Sequence, residues 1–143
     1  MGKILLLLLI IIPSVLHAQC GDGLVEICAS EKGNFVYAKA FNIQMNDSSS
    51  SGSSEYKNYS YVLTRNTTYR IICCSDEENV GKMVIELYGP SGLISSTYDS
   101  ASDKHISAIE YDCPKTGRYI LNFYFEGGSG GCGVGLVTFR THF

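Results

Sequence analysis

From about residue 56 onward, apolar side chains recur at every second position in short runs, with turn-forming residues between the runs. Tyr59, Tyr61 and Leu63 form the first such set, and Tyr69, Ile71 and Cys73 within Thr68 to Cys74 form the next. Met83, Ile85 and Leu87 follow, then Ile109, Tyr111 and Cys113, then the cleanest alternation in the chain, Tyr119, Leu121, Phe123 and Phe125. A period of two places each set on one face of a strand. Arg65-Asn66-Thr67, Gly89-Pro90-Ser91-Gly92 and Pro114-Lys115-Thr116-Gly117 supply turns, and Gly127 to Gly131 supplies a loop. With a short strand over Leu93 to Thr97 and a last one over Cys132 to Arg140, seven or eight half-buried strands are predicted. No long helical period competes with them. The pattern predicts an all-β fold, an antiparallel β-sandwich, with a jelly roll as the version that best limits exposed strand edges.

The first 45 residues read differently. Lys3 precedes an unbroken apolar run, Ile4 to Ile12, and small Ala18 stands before Gln19. This is the pattern of a cleaved secretory signal over residues 1–18. As a helix the run is too short to span a bilayer, so no membrane span is expected in the mature chain. Removing it leaves about 125 residues, enough for one domain with a real core. Within 19–143, residues 19–45 form an N-terminal segment, helical or irregular where Leu24, Ile27 and Cys28 recur and extended over Phe35 to Ile43. Residues 46–55 are a Ser-rich loop, and 56–143 are the sandwich core.

Without Lys3, ten basic residues face fourteen acidic ones, so nothing in the charge favours nucleic acid or an anionic membrane. Tyr, Ser, Gly, Ile and Val dominate, and Trp is absent. Cys20, Cys28, Cys73, Cys74, Cys113 and Cys132 all fall in the exported part, where an even count predicts disulfides. The only close pair is adjacent, which does not fit a structural zinc site. If Thr68 to Cys74 lies antiparallel beside the last strand, its end meets the start of that strand. Cys73 or Cys74 would then bond Cys132, leaving Cys113 for Cys20 or Cys28.

Little in the sequence points to catalysis. The exported histidines are His105, beside Asp103 at a strand start, and His142, one residue from the end, where little is expected to hold it. No nucleophile elbow, His-Glu-x-x-His pair or phosphate-binding loop occurs. Loop carboxylates at Asp76, Glu77, Glu78, Asp99 and Asp103 are candidate calcium ligands, since calcium takes hard oxygens, although their spacing is not that of an EF-hand. No other cofactor is expected. If Tyr119 to Phe125 turns one face inward, Ile120 and Tyr124 point outward, as does Tyr88 on its own strand. These three form a candidate binding surface for a glycan or protein, unless the N-terminal segment covers them, which is the favoured expectation. Asn46, Asn58 and Asn66 begin Asn-x-Ser/Thr sequons.

Five signals in order resemble the bacterial pre-peptidase C-terminal domain, over about Tyr56 to Arg140. They are Tyr59-Ser60-Tyr61-Val62-Leu63, Thr67-Thr68-Tyr69-Arg70-Ile71, Ile85-Glu86-Leu87-Tyr88-Gly89-Pro90-Ser91-Gly92, Ile109-Glu110-Tyr111-Asp112-Cys113-Pro114 and Thr116-Gly117-Arg118-Tyr119-Ile120. The resemblance implies a secreted β-sandwich that accompanies exported enzymes. Some members bind calcium or collagen, but Gly89 and Lys82-Met83-Val84 stand where acidic residues are frequent, so neither site carries over. The expected function is a secreted or periplasmic, non-catalytic binding or accessory module with an extracellular or envelope protein or glycan as partner. A structural or cell-surface interaction protein is the alternative, and a hydrolase a distant one.

Overall fold

The computed structural model describes residues 20, 23–46, 55–76 and 82–142. The signal segment, most of the Ser-rich loop and the calcium candidates Glu77 and Glu78 lie outside the described residues.

Each alternating run forms a strand. In chain order they are β1 (Val36–Met45), β2 (Lys57–Leu63), β3 (Thr67–Ser75), β4 (Met83–Gly89), β5 (Gly92–Ser96), β6 (Tyr98–Asp99), β7 (Lys104–His105), β8 (Ala108–Cys113), β9 (Gly117–Phe125) and β10 (Gly131–Thr141). One helix, α1 (Leu24–Ser30), precedes them. The first sheet has the order β1-β10-β3-β8 and the second β2-β9-β4-β5, while β6 and β7 form a separate small hairpin. β1 pairs with β10, β2 with β9, β3 with β8 and β4 with β5, all antiparallel. The chain is thus one long hairpin wrapped over itself, which is the jelly-roll arrangement of an antiparallel sandwich. Among the described residues no helix is long and apolar enough to cross a membrane.

The main core lies between the sheets. Ile43, Ile71, Ile109 and Val137 from the first sheet meet Ile85, Leu87, Leu121 and Phe123 from the second, all essentially inaccessible to water. Burial of each such side chain stabilises the fold by about 1.5–3 kcal/mol. Gly133 and Gly135 on β10 face this core, and a Cβ at either would run into Met83 or Phe123. Those two glycines let the second sheet's largest side chains settle against the first sheet's backbone. β1 runs beside β10 from Val36↔Phe139 to Met45↔Gly131 and adds Phe41, Ile43 and Met45 to the core. The end of the N-terminal segment is therefore part of the sandwich.

A second apolar layer lies outside the first sheet. Leu24, Val25, Cys28 and Ala29 of α1 pack on Ile72, Cys74, Val134 and Leu136. Ile27 is left exposed, so the helix turns a different face inward from the one its Leu24–Ile27–Cys28 spacing predicts. This helix rests on β10 and β3, on the opposite side of the sandwich from Tyr88, Ile120 and Tyr124. The expected cover of those three side chains by the N-terminal segment is thereby corrected.

The expected cysteine pairing is corrected as well. β3 does lie beside β10, with Val134 opposite Cys74, yet the bonds are Cys20–Cys132 and Cys28–Cys74. Cys74 and Cys132 both face outward, toward α1 and the preceding chain, so each joins a cysteine outside the sheet instead of one within it. Cys73 and Cys113 are free thiols. They share the inner face of neighbouring strands, but Cys113 sits opposite Thr67, six residues from Cys73, or about 20 Å at ~3.3 Å per residue. That distance is far beyond disulfide reach.

Candidate functional site

The outer face of the second sheet is built by the same alternation that fills the core. With Tyr119, Leu121, Phe123 and Phe125 of β9 buried, Arg118, Ile120, Asn122 and Tyr124 point outward. β4 contributes Val84, Glu86 and Tyr88, opposite Tyr124, Asn122 and Ile120 respectively. β5 places Leu93 opposite Tyr88. An apolar row, Ile120–Tyr88–Leu93, therefore crosses three strands, with exposed Val62 of β2 on its flank. Ile120 is 44% and Leu93 55% exposed, values that would cost little for isolated residues but here mark a connected patch.

Tyrosines, the fully buried Val84 and a pair of buried Asn122 with half-buried Glu86 occupy the rest of this face. The Asn122 amide donates to Glu86 Oε2 at 2.8 Å, and the Tyr88 hydroxyl donates to the same oxygen at 2.9 Å. That bond and the neighbouring charge raise the Tyr88 phenol above its ordinary value. The Tyr56 and Tyr124 rings lie 5.2 Å apart. Burial, then the Glu86 carboxylate and the nearby Tyr56, Tyr88 and Tyr98 hydroxyls, push the Tyr124 phenol up to about 12. Tyr88 thus bonds this carboxylate directly, and Tyr124, with Tyr56 packed against it, lies beside it. Tyrosine presents a large rigid contact area with a polar tip, at the cost of few rotatable bonds.

The β6–β7 hairpin extends this surface at one end of the sandwich. Tyr98 and His105 face each other across it, and their rings stack at 4.5 Å and 25°. His105 Nε2 meets Glu126 Oε2 at 2.9 Å, and the Tyr98 hydroxyl donates to Asp103 Oδ1 at 3.1 Å. Partial burial and then the Asp103 and Glu126 carboxylates push the Tyr98 phenol up to about 12.

Of the calcium candidates, Asp99 is occupied within its own turn. It accepts from the Ala101 N–H at 3.0 Å and the Ser102 hydroxyl at 2.7 Å, which hold its carboxyl below the usual range. Asp103 lies within reach of His105 and Glu126. Asp76, at the end of β3, gives its backbone N–H to the Cys132 carbonyl.

The histidines also differ from expectation. His142 is held, by its N–H to the Asn66 carbonyl and by its Nε2 against the Thr68 hydroxyl. Asp112 accepts from Thr68 at 2.5 Å and stands 3.9 Å from that same Nε2. Acid and hydroxyl share one imidazole nitrogen, so the relay of an acid–imidazole–hydroxyl triad is absent from this trio.

A separate cleft of about 470 Å³ lies at the opposite end, between the β4–β5 and β8–β9 turns, walled by Ile94, Tyr111, Pro114 and Tyr119. Sequence reasoning placed Tyr88, Ile120 and Tyr124 on this outer face but did not point to Tyr56, Leu93 and Tyr98. Leu93 was detectable only through its register with Tyr88, and Tyr98 only by recognising a hairpin where the residues read as a polar loop.

No protein-family model matches the sequence, and no curated protein matches it. Among solved structures, the chain is similar to PliG of Aeromonas hydrophila, a periplasmic inhibitor of g-type lysozyme. The match has a TM-score of 0.53 and 12% identity, and it covers 73% of this chain and 88% of that one. At that identity the two proteins share the all-β sandwich fold.

Proposed function

We propose that this protein is an exported, non-catalytic binding module that captures another extracellular or periplasmic protein on the outer face of its second sheet. The observation that carries the reading is the row of exposed and half-buried side chains Ile120, Tyr88 and Leu93, with the Tyr124–Tyr56 pair on the same sheet face. Buried tyrosines ringed by a polar margin are the usual anchors of a protein interface. The excess of acidic over basic residues favours a basic partner, which electrostatic attraction would steer onto the surface.

Two disulfides fit an oxidising compartment, as does export through the segment at residues 1–18. The shared fold makes a g-type lysozyme a reasonable first partner to test. The similarity of Tyr56 to Arg140 to pre-peptidase C-terminal domains belongs to the same proposal, an accessory sandwich acting on a partner in trans.

The test is surface plasmon resonance against a panel of basic extracellular proteins that includes a g-type lysozyme, with a glycan array in parallel. Saturable protein binding that is lost in Ile120→Glu and weakened at least tenfold in Tyr88→Ala supports the reading. Binding that survives both substitutions, or binding only to glycans, overturns it.

A further inference from the structure

We propose that Asp103, His105 and Glu126 form a binding site for a divalent cation of the zinc type. Their donor atoms, one from each side chain, all lie within 4.8 Å of one another. They come from two parts of the chain, the β6–β7 hairpin and the residue that follows β9. Asp103 sits in the β6–β7 turn with φ 52°, a left-handed conformation that Asp tolerates better than most residues. His105 is on β7. Glu126 follows β9 and is fixed by its N–H to the Lys82 carbonyl at 3.0 Å.

Two features distinguish this trio from an ordinary acidic turn. An imidazole nitrogen stands 2.9 Å from the Glu126 carboxylate, and its ring is stacked on that of Tyr98. Among the described residues, no lysine or arginine pairs with Asp103 or Glu126. Among the described residues the two carboxylates gather with the imidazole and the Tyr98 hydroxyl, and a divalent cation would relieve their repulsion.

The donor set selects the ion. Calcium takes six to eight oxygens and rarely nitrogen. Zinc accepts one nitrogen and two carboxylate oxygens at about 2.0–2.2 Å, with three protein ligands leaving a fourth position for water or an incoming group. The hydrogen bond from Tyr98 to Asp103 orients that carboxylate, as partners of metal ligands commonly do. A bound ion would tie the β6–β7 hairpin to the start of the β9–β10 connection, at the margin of the tyrosine surface.

Isothermal titration of the untagged, exported chain with zinc chloride tests the site. One ion per chain is expected, with affinity reduced more than tenfold in His105→Ala and in Glu126→Gln, and about tenfold in Tyr98→Phe. His142→Ala should leave it unchanged, because that histidine lies with Thr68 and Asp112 away from the trio. In the unaltered chain, nitrogen-15 NMR should show zinc shifting the His105 Nε2 resonance, a readout that does not depend on how the variants fold. Zinc binding no tighter than that of His105→Ala, a shift at His142 instead of His105, or calcium binding that zinc does not displace would each overturn the proposal.

Discussion

Cys73 and Cys74 are adjacent on β3, yet they leave the sheet in opposite directions. Cys74 bonds Cys28 on α1 outside the sheet, whereas Cys73 points into the sandwich and donates its S–H to the Met83 carbonyl at 3.2 Å. One step along a strand reverses the side chain, so neighbours in sequence serve two separate apolar layers.

Thiol chemistry should follow that division. Burial pushes the Cys73 thiol up to about 12, so Cys73 of the folded chain should resist iodoacetamide at pH 8, where only a thiolate reacts. After unfolding without reductant, peptide mass spectrometry should find Cys73 and Cys113 alkylated, with Cys20–Cys132 and Cys28–Cys74 peptides still linked. Alkylation of Cys74 or Cys132 would refute the pairing.

The same shift sets a dependence on pH. A thiol whose folded value exceeds its unfolded one contributes stability fully below about pH 9 and loses it as the pH climbs toward 12. Cys73→Ala should flatten the alkaline fall in denaturation midpoint between those values.

Tyr124 offers a spectroscopic counterpart. Absorbance titration of the folded chain should show tyrosines ionising near 12, with one fewer in Tyr124→Phe, where Tyr98 remains. Glu86→Gln should move that ionisation downward, because it removes the nearest negative charge. An unchanged titration in Glu86→Gln would show that burial alone sets the shift.

Reduction or replacement of the Cys28–Cys74 bond should cost about 2–4 kcal/mol in urea unfolding. Amide exchange should then rise first in α1, whose remaining hold on the sheet is the short apolar layer of Leu24, Val25 and Ala29.

Gly135→Ala should destabilise by about 1–3 kcal/mol, since the added methyl meets the Phe123 ring and neither sheet can retreat without opening the core. Gly117→Ala has no heavy atom near its new methyl and serves as the mild control.

Much of this molecule is written in its period-two runs. Leu63, Ile85, Leu87, Leu121 and Phe123 announce both their strands and their inward direction, because one face of each run is apolar and the other is not. The same alternation names Tyr88, Ile120 and Tyr124 as the outward set. Where a strand is buried on both sides, the signal fails. Ile71-Ile72-Cys73-Cys74 and the run after Cys132 are continuously apolar because α1 covers their second face, and no period reveals that cover.

Cysteine pairing depended on tertiary structure for the same reason, since it follows from which face each strand turns toward α1. So did the approach of Glu126 to Asp103 and His105, which are near neighbours in sequence. The small hairpin after β5 and the residue after β9 meet only once the second sheet is assembled, and a single strand carries no record of what will pack beside it.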